Sequence, residues 1–438
     1  MKFIQKKSDL INYLFWLIII AQLTTLVKDI FQGFPIDSFG ITEYLINYEG
    51  GFVRRGLTGQ LLLYLYRLTH ISPYYFIVII SVFTYLSVIV FCVKYLTEKS
   101  YPVFFLPFVF FLGNHVISSF WLRKDSLMLC LFTLVVFCIK KRSPIHLIFA
   151  NLILVSGILI HEATGFLTIP ISIVLIFSLY SANIKHKSLF ERIFRSFIFI
   201  MPSIIVFFLV LYFKGDQKVA KLIWLSWKDV RFPVGIYNPD KLPAAIEGIS
   251  LTLKYGLFSS LYNLVNFNND IYAPLAWVII ISIVYFILTN TERLSFKINQ
   301  YKPQNIIDKK YLGNILIFQF IAVIPLFILG CDYGRWVFLW VISSFVLMLL
   351  FDDEKDLILF PKFIITFRNK FIYFLSMFIS ASSVPILSLI ISVPLAGWSL
   401  KNCIESNTFI SLITFISNLI KPVVLILKNL IKYLYTTI

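Results

Sequence analysis

Twelve apolar runs, separated by short segments rich in lysine and arginine, leave this chain few ways to fold. They lie at 10–27, 73–93, 102–121, 126–139, 145–160, 163–181, 194–213, 272–289, 312–330, 336–351, 371–396 and 409–427. Roughly 20 apolar residues cross about 30 Å of hydrocarbon as a helix. In lipid, a helix also satisfies its own backbone N–H and C=O groups. The 438 residues are 59% hydrophobic and only 14% charged, where a soluble domain carries about 25% charged residues. There is too little polar surface to coat a globule in water. The expectation is an all-α, polytopic transmembrane bundle of about 12 spans (10 to 13), forming a single integral membrane domain over residues 1–438.

The basic segments set the expected orientation. Lys2, Lys6 and Lys7 precede the first run, which ends at Lys28–Asp29 without a small-residue cleavage site, so it reads as a retained signal-anchor helix. With the N-terminus inside, alternation puts 1–9, 94–101, 140–144, 182–193, 290–311, 352–370 and the tail on the cytoplasmic side. Most of the 39 Lys and Arg residues fall there, including the runs at 140–142 and 185–187, as the positive-inside tendency requires. Both termini are then cytoplasmic. This alternation holds only if residues 57–68 do not cross. That stretch is short and contains Gln60 and Arg67, which suits a helix at the interface. Two long outer segments remain, 29–72 and 214–271. The second alternates aromatic and charged residues, the pattern of short amphipathic helices. The chain has no N-x-Ser/Thr sequon and is rich in Ile, Lys and Asn, which fits the cytoplasmic membrane of a bacterium.

Several function classes drop out. The net charge of +17 is accounted for by loops that orient spans, so no nucleic-acid partner is expected. The five cysteines (Cys92, Cys130, Cys138, Cys331, Cys403) form no CxxC pair, and neither a metal site nor a disulfide framework is indicated. His161-Glu162-Ala163-Thr164-Gly165 lacks the second histidine of a zinc-protease H-E-x-x-H. No metal and no cofactor are expected.

Ionisable residues near a bilayer that topology does not require are the informative ones. Four clusters qualify: Tyr48 through Gly59 with Arg54 and Arg55, then Trp121-Leu122-Arg123-Lys124-Asp125, then His161-Glu162-Ala163-Thr164-Gly165, and finally Cys331-Asp332-Tyr333-Gly334-Arg335-Trp336. The alternation puts all four at the outer ends of spans. Together they describe one pocket with Arg54, Arg55, Arg123, Lys124, Asp125 and Arg335 as substrate-binding groups. Glu49, Glu162, Asp332 and His161 are the candidate catalytic groups. A glycine-flanked arginine pair opening a short helix suits a phosphate, because guanidinium forks and free helix N–H groups both donate to it. Asp332, one helical turn from Arg335, is expected to pair with it. Glu162, at the mouth of a span, is expected to have its pKa raised by partial burial, which ranks it first as general base.

Such a pocket suits a lipid-linked phosphate or diphosphate whose tail lies between helices. The reading at this stage is glycosyl transfer from a polyprenyl (di)phosphate donor to a carbohydrate acceptor, with arginines stabilising the departing phosphate. A lipid-linked oligosaccharide flippase or other transporter is the alternative. The acidic first outer loop (Asp29, Asp37, Glu43, Glu49), the stretch Gly50-Gly51-Phe52-Val53-Arg54-Arg55-Gly56-Leu57, Arg123-Lys124-Asp125 and the Asp-x-Gly-Arg-Trp at 332–336 carry a resemblance. The chain resembles the multi-spanning GT-C-type glycosyltransferases and O-antigen polymerases of bacterial surface-polysaccharide assembly. That resemblance implies a GT-C-like bundle with its active site at the outer face, a polyprenyl-linked donor, a carbohydrate acceptor, contact with membrane lipid, and partners in polysaccharide assembly. The first outer loop departs from metal-using members in having no Asp-Asp or Glu-x-Asp pair.

Overall fold

A computed structural model describes residues 26–98, 120–181, 189–251, 273–290, 308–330, 333–353, 358–380, 383–384 and 387. Among the described residues, regular structure is entirely helical. The helices are α1 (Phe39–Tyr44), α2 (Gly56–Thr69), α3 (Pro73–Glu98), α4 (Asp125–Lys140), α5 (Pro144–Ile160), α6 (Ala163–Ser181) and α7 (Leu189–Tyr212). They continue with α8 (Gln217–Leu225), α9 (Ala244–Glu247), α10 (Ala273–Thr289), α11 (Lys309–Leu329), α12 (Tyr333–Phe351) and α13 (Lys362–Phe378).

Four stretches are long and apolar enough to cross a membrane: Pro73–Cys92, Ile193–Tyr212, Lys310–Leu329 and Tyr333–Phe351. Pro144–Ile160, Ala163–Leu179 and Trp277–Thr289 are shorter apolar helices. The chain is therefore a helical membrane protein. Nearly all of the runs at 10–27 and 102–121, the run at 409–427 and the later part of 371–396 lie outside the described residues. The run at 126–139 lies within α4. At 16 residues, α4 is about 24 Å long, short of the roughly 30 Å of hydrocarbon. Its first residue, Asp125, is fully buried, so the helix begins inside protein and needs no more length.

Direction is fixed by contacts at both ends. α4 and α12 run parallel: Arg335 near the start of α12 meets Asp125, while Lys140 at the end of α4 donates to the Leu350 carbonyl. α5 returns antiparallel and joins α6 through a turn made of His161 and Glu162 alone. Every residue of α12 is buried. The Trp340 indole donates to the Leu316 carbonyl of α11 at 2.7 Å, which satisfies its one polar group away from water. By contrast α7 exposes Phe190, Phe194, Ile198, Met201, Ile205, Phe208 and Tyr212. Their spacing of three and four residues makes one outward apolar stripe, the face a helix turns to lipid.

A second, smaller core caps the bundle. The two long segments expected to lie on one side of the membrane fold against each other: Ile41, Tyr44 and Leu45 pack with Trp121, Trp224, Trp227, Ile246 and Ile249. Trp227 donates to the Leu45 carbonyl at 2.8 Å, Asn47 to the Ser226 hydroxyl at 2.8 Å, and the Arg54 backbone N–H to the Phe213 carbonyl at 3.2 Å. The interfacial helix expected at 57–68 is α2. Its Gly59 sits so close to the first segment that a Cβ there would come 2.1 Å from the Ile46 carbonyl oxygen, so only glycine allows this approach. Of the amphipathic helices expected in 214–271, α8 and α9 belong to the cap, while 252–271 lies outside the described residues.

Candidate functional site

Between the bundle core and the cap core lies a layer of charge. Helix ends put it there. α4 begins at Asp125, α5 ends before His161, α6 begins after Glu162, α12 presents Arg335 in its first turn, and the cap brings Glu43 on α1 and Arg54–Arg55 ahead of α2. Fragments of all four sequence clusters thus meet at one end of the bundle.

Each carboxylate is claimed by a guanidinium. Asp125, fully buried, accepts from Arg335 Nε at 2.7 Å and Nη2 at 2.5 Å, a two-pronged pair with geometry suited to a planar fork. Glu43 accepts from Arg123 Nε at 2.7 Å, and the Arg123 guanidinium lies 4.1 Å from the centre of the Phe39 ring. Glu162 accepts from Arg55 Nε at 3.1 and 2.8 Å and from Arg55 Nη2. Arg54 Nη1 stands 3.8 Å from the same carboxylate, while Arg54 Nη2 donates to the Gly248 carbonyl at 2.8 Å. Nδ1 of His161 accepts from the Ala163 N–H at 3.1 Å. Its proton therefore sits on Nε2, which faces Glu43 Oε1 at 3.4 Å.

Lys124 completes the layer. It is fully buried, and its Nζ donates to the backbone carbonyls of Arg55 at 3.3 Å and Ile160 at 3.2 Å, with the Tyr44 ring 5.4 Å away. Arg55 has φ of 67°, the left-handed region that a side-chain-bearing residue seldom adopts. The lysine thus pins a strained turn to the end of α5. That turn aims Arg55 at Glu162.

Electrostatics follow from this crowding. Burial alone would raise the pKa of Glu43, but Arg123, His161 and Arg335 outweigh it and hold the carboxyl well below its usual range. Burial likewise opposes ionisation of Glu162, and the Arg55 guanidinium, with Arg54 behind it, prevails and holds the carboxyl well below its usual range. The expected upward shift at Glu162 is thus reversed, because the residue is not merely half-buried but clamped by arginine. Burial lowers His161, with Arg55 adding to the effect, so the imidazole stays neutral. Burial pushes the Lys124 ammonium down to about 7. Among the described residues, Arg54, Arg55, Arg123, Lys124 and Arg335 stand in this layer with Glu43, Asp125 and Glu162.

The lysine makes pH dependence predictable. Its folded pKa lies below the unfolded value, so between about 7 and about 10.5 the unfolded chain binds the proton that the folded one does not. Stability from this group rises with pH across that window and is lost as pH falls through about 7. The thermal midpoint of the purified protein should therefore climb from pH 7 to pH 9 relative to a Lys124→Met variant. Parallel curves would show that Lys124 keeps its proton.

Two expected members stand elsewhere. Glu49 pairs with Arg67 at 2.9 Å, with both side chains partly exposed. Asp332 lies outside the described residues, and the partner established for Arg335 is Asp125. Glu43 was legible only as one acid of the first loop. Its signal was a carboxylate set among Ile41, Tyr44, Leu45 and Ile46, all of them buried. Among the described residues no group of three His, Cys, Asp or Glu comes together as metal ligands.

The fold and this layer define a helical membrane protein with a buried, cation-rich ion-pair centre at one end of its bundle. The chain matches no protein-family model, no characterised protein and no solved structure at a significant level.

Proposed function

We propose that the protein is a membrane glycosyltransferase. In this reading it moves a sugar or oligosaccharide unit from a polyprenyl (di)phosphate to a carbohydrate acceptor at the outer face of a bacterial cytoplasmic membrane, as a surface-polysaccharide polymerase does. One observation carries the reading: the arginine pair Arg54 and Arg55, whose side chains are 23% and 20% exposed, forms an accessible rim beside Glu162, while Glu43 and Asp125 are wholly enclosed.

The chemistry follows from that rim. A donor phosphate entering beside Arg54 and Arg55 competes with Glu162 for the guanidinium fork, since each can offer two oxygens to the planar guanidinium. As the phosphate takes the arginines, Glu162 loses the charge that held its pKa down and becomes a usable base. The acceptor hydroxyl then attacks the anomeric carbon, Glu162 takes its proton, and the bond from that carbon to the phosphate oxygen breaks. The phosphate leaves with the electron pair, stabilised by Arg54 and Arg55. Arg123, Glu43 and His161 form the layer behind, holding the Glu162 turn in place.

The test is direct. The purified full chain, given a polyprenyl-diphosphate oligosaccharide and an acceptor in detergent, should release polyprenyl diphosphate. An Arg54→Ala, Arg55→Ala double variant should release none while remaining folded. If the wild type releases none but equilibrates the donor between leaflets of a proteoliposome, the protein is a flippase and the transfer reading falls.

A further inference from the structure

The surface of the cap carries a feature that does not depend on the transfer reading. Only four residues separate helix α8 from Tyr212, where a membrane-crossing stretch ends. The five steps from Tyr212 to Gln217 reach at most about 18 Å, so α8 stays close to the bilayer surface. Asp216 caps it, accepting from the Val219 N–H at 2.7 Å. One face is fixed: Ala220, Ile223 and Trp224 are buried in the cap core, and the Trp224 indole donates to the Asn238 carbonyl at 2.7 Å.

The opposite face is exposed and mixed. Lys218, Lys221, Leu222 and Leu225 follow the i, i+3, i+4, i+7 spacing of a single helix face. Lys214 precedes them, and Lys228 and Arg231 follow, all exposed. None of these cations makes an ion pair among the described residues. A soluble polyanion would gain nothing from two exposed leucines. A headgroup layer accommodates both kinds of side chain, with the leucines in the upper acyl region and the lysine ammoniums at the phosphates.

We propose that this face of α8 lies in the bilayer headgroup layer, where Lys218, Lys221 and Lys228 hold the phosphates of anionic phospholipids. The bound lipid then anchors the cap beside the charged site.

Two measurements on the full chain decide it. A nitroxide at Leu222→Cys, in a background with the five native cysteines replaced by serine, is placed in nanodiscs of phosphatidylcholine with phosphatidylglycerol. It should collide with oxygen more than with a water-soluble nickel chelate, whereas one at exposed Asn238→Cys should do the reverse. Phosphatidylglycerol co-purifying with the protein is then counted by native mass spectrometry. Each lysine near an anionic surface changes binding roughly fivefold. Lys218→Gln, Lys221→Gln, Lys228→Gln together should weaken retention about a hundredfold, and the matching triple arginine variant should restore it. Equal water exposure at 222 and 238 would overturn the proposal, as would unchanged lipid retention in the glutamine variant. So would a loss confined to binding of dextran sulfate. If the glutamine variant fails to fold, the nitroxide measurement on the wild-type lysines decides alone.

Discussion

Arg335→Met should cost the purified protein about 3–5 kcal/mol, the loss expected when one partner of a buried ion pair is removed and the other left uncompensated. Asp125 is wholly enclosed and held by both prongs of this arginine. Burial leaves it no water to turn to. The companion variant, Asp125→Leu with Arg335→Met, replaces the pair with apolar groups and should regain most of the loss, because desolvation is then no longer opposed by a stranded charge. Thermal unfolding in detergent of the wild type, both single variants and the double variant gives the coupling between the two sites. Single variants as stable as the wild type would mean that water reaches the pair.

Glu162→Gln should lower the transfer rate by ~10²–10⁴, the usual cost of losing a general base, while donor binding persists. The substitution also frees Arg55 from its carboxylate, so the donor phosphate should bind at least as tightly as before. Rate loss with unchanged or tighter binding distinguishes a base from a purely structural partner. Arg55→Lys should instead lose both, because an ammonium cannot replace a planar fork. If Glu162→Gln transfers sugar at the wild-type rate, the base is another group and the exchange of partners at Arg55 is wrong.

Much of the charged layer was legible in the sequence, for one reason. Arg54, Arg55, Arg123, Lys124, Asp125, His161, Glu162 and Arg335 stand at the ends of apolar runs, where charge is costly unless something compensates it. The alternation of runs also put them at a common end, and helix directions in the structure agree. What could not be read was who pairs with whom. Asp125 and Arg335 are separated by 210 positions, and Arg55 and Glu162 by 107. Local spacing pointed to Asp332 for Arg335, a contact outside the described residues, and gave no hint of Asp125; it gave Glu162 no partner beyond His161. The reversed pKa of Glu162 follows from that missing contact. Glu43 was passed over because its importance comes from Arg123 and His161, neither near it in sequence. The cap is legible only as two separate outer segments with short helices, since nothing in either segment signals that Leu45 will receive the Trp227 indole.

The parallel arrangement of α4 and α12 has a consequence for how the protein is made. Synthesis proceeds at about 5–20 residues per second, so the ribosome needs roughly 10–40 s to travel from Asp125 to Arg335. Throughout that interval the two-pronged Arg335 contact that holds Asp125 in the folded protein has not yet been made. Glu43 meets Arg123 and Arg55 meets Glu162 earlier, so the layer closes from the N-terminal side. Insertion must therefore hold the start of α4 near water or near the earlier cations of the layer until α12, every residue of which is buried, arrives and locks the layer shut.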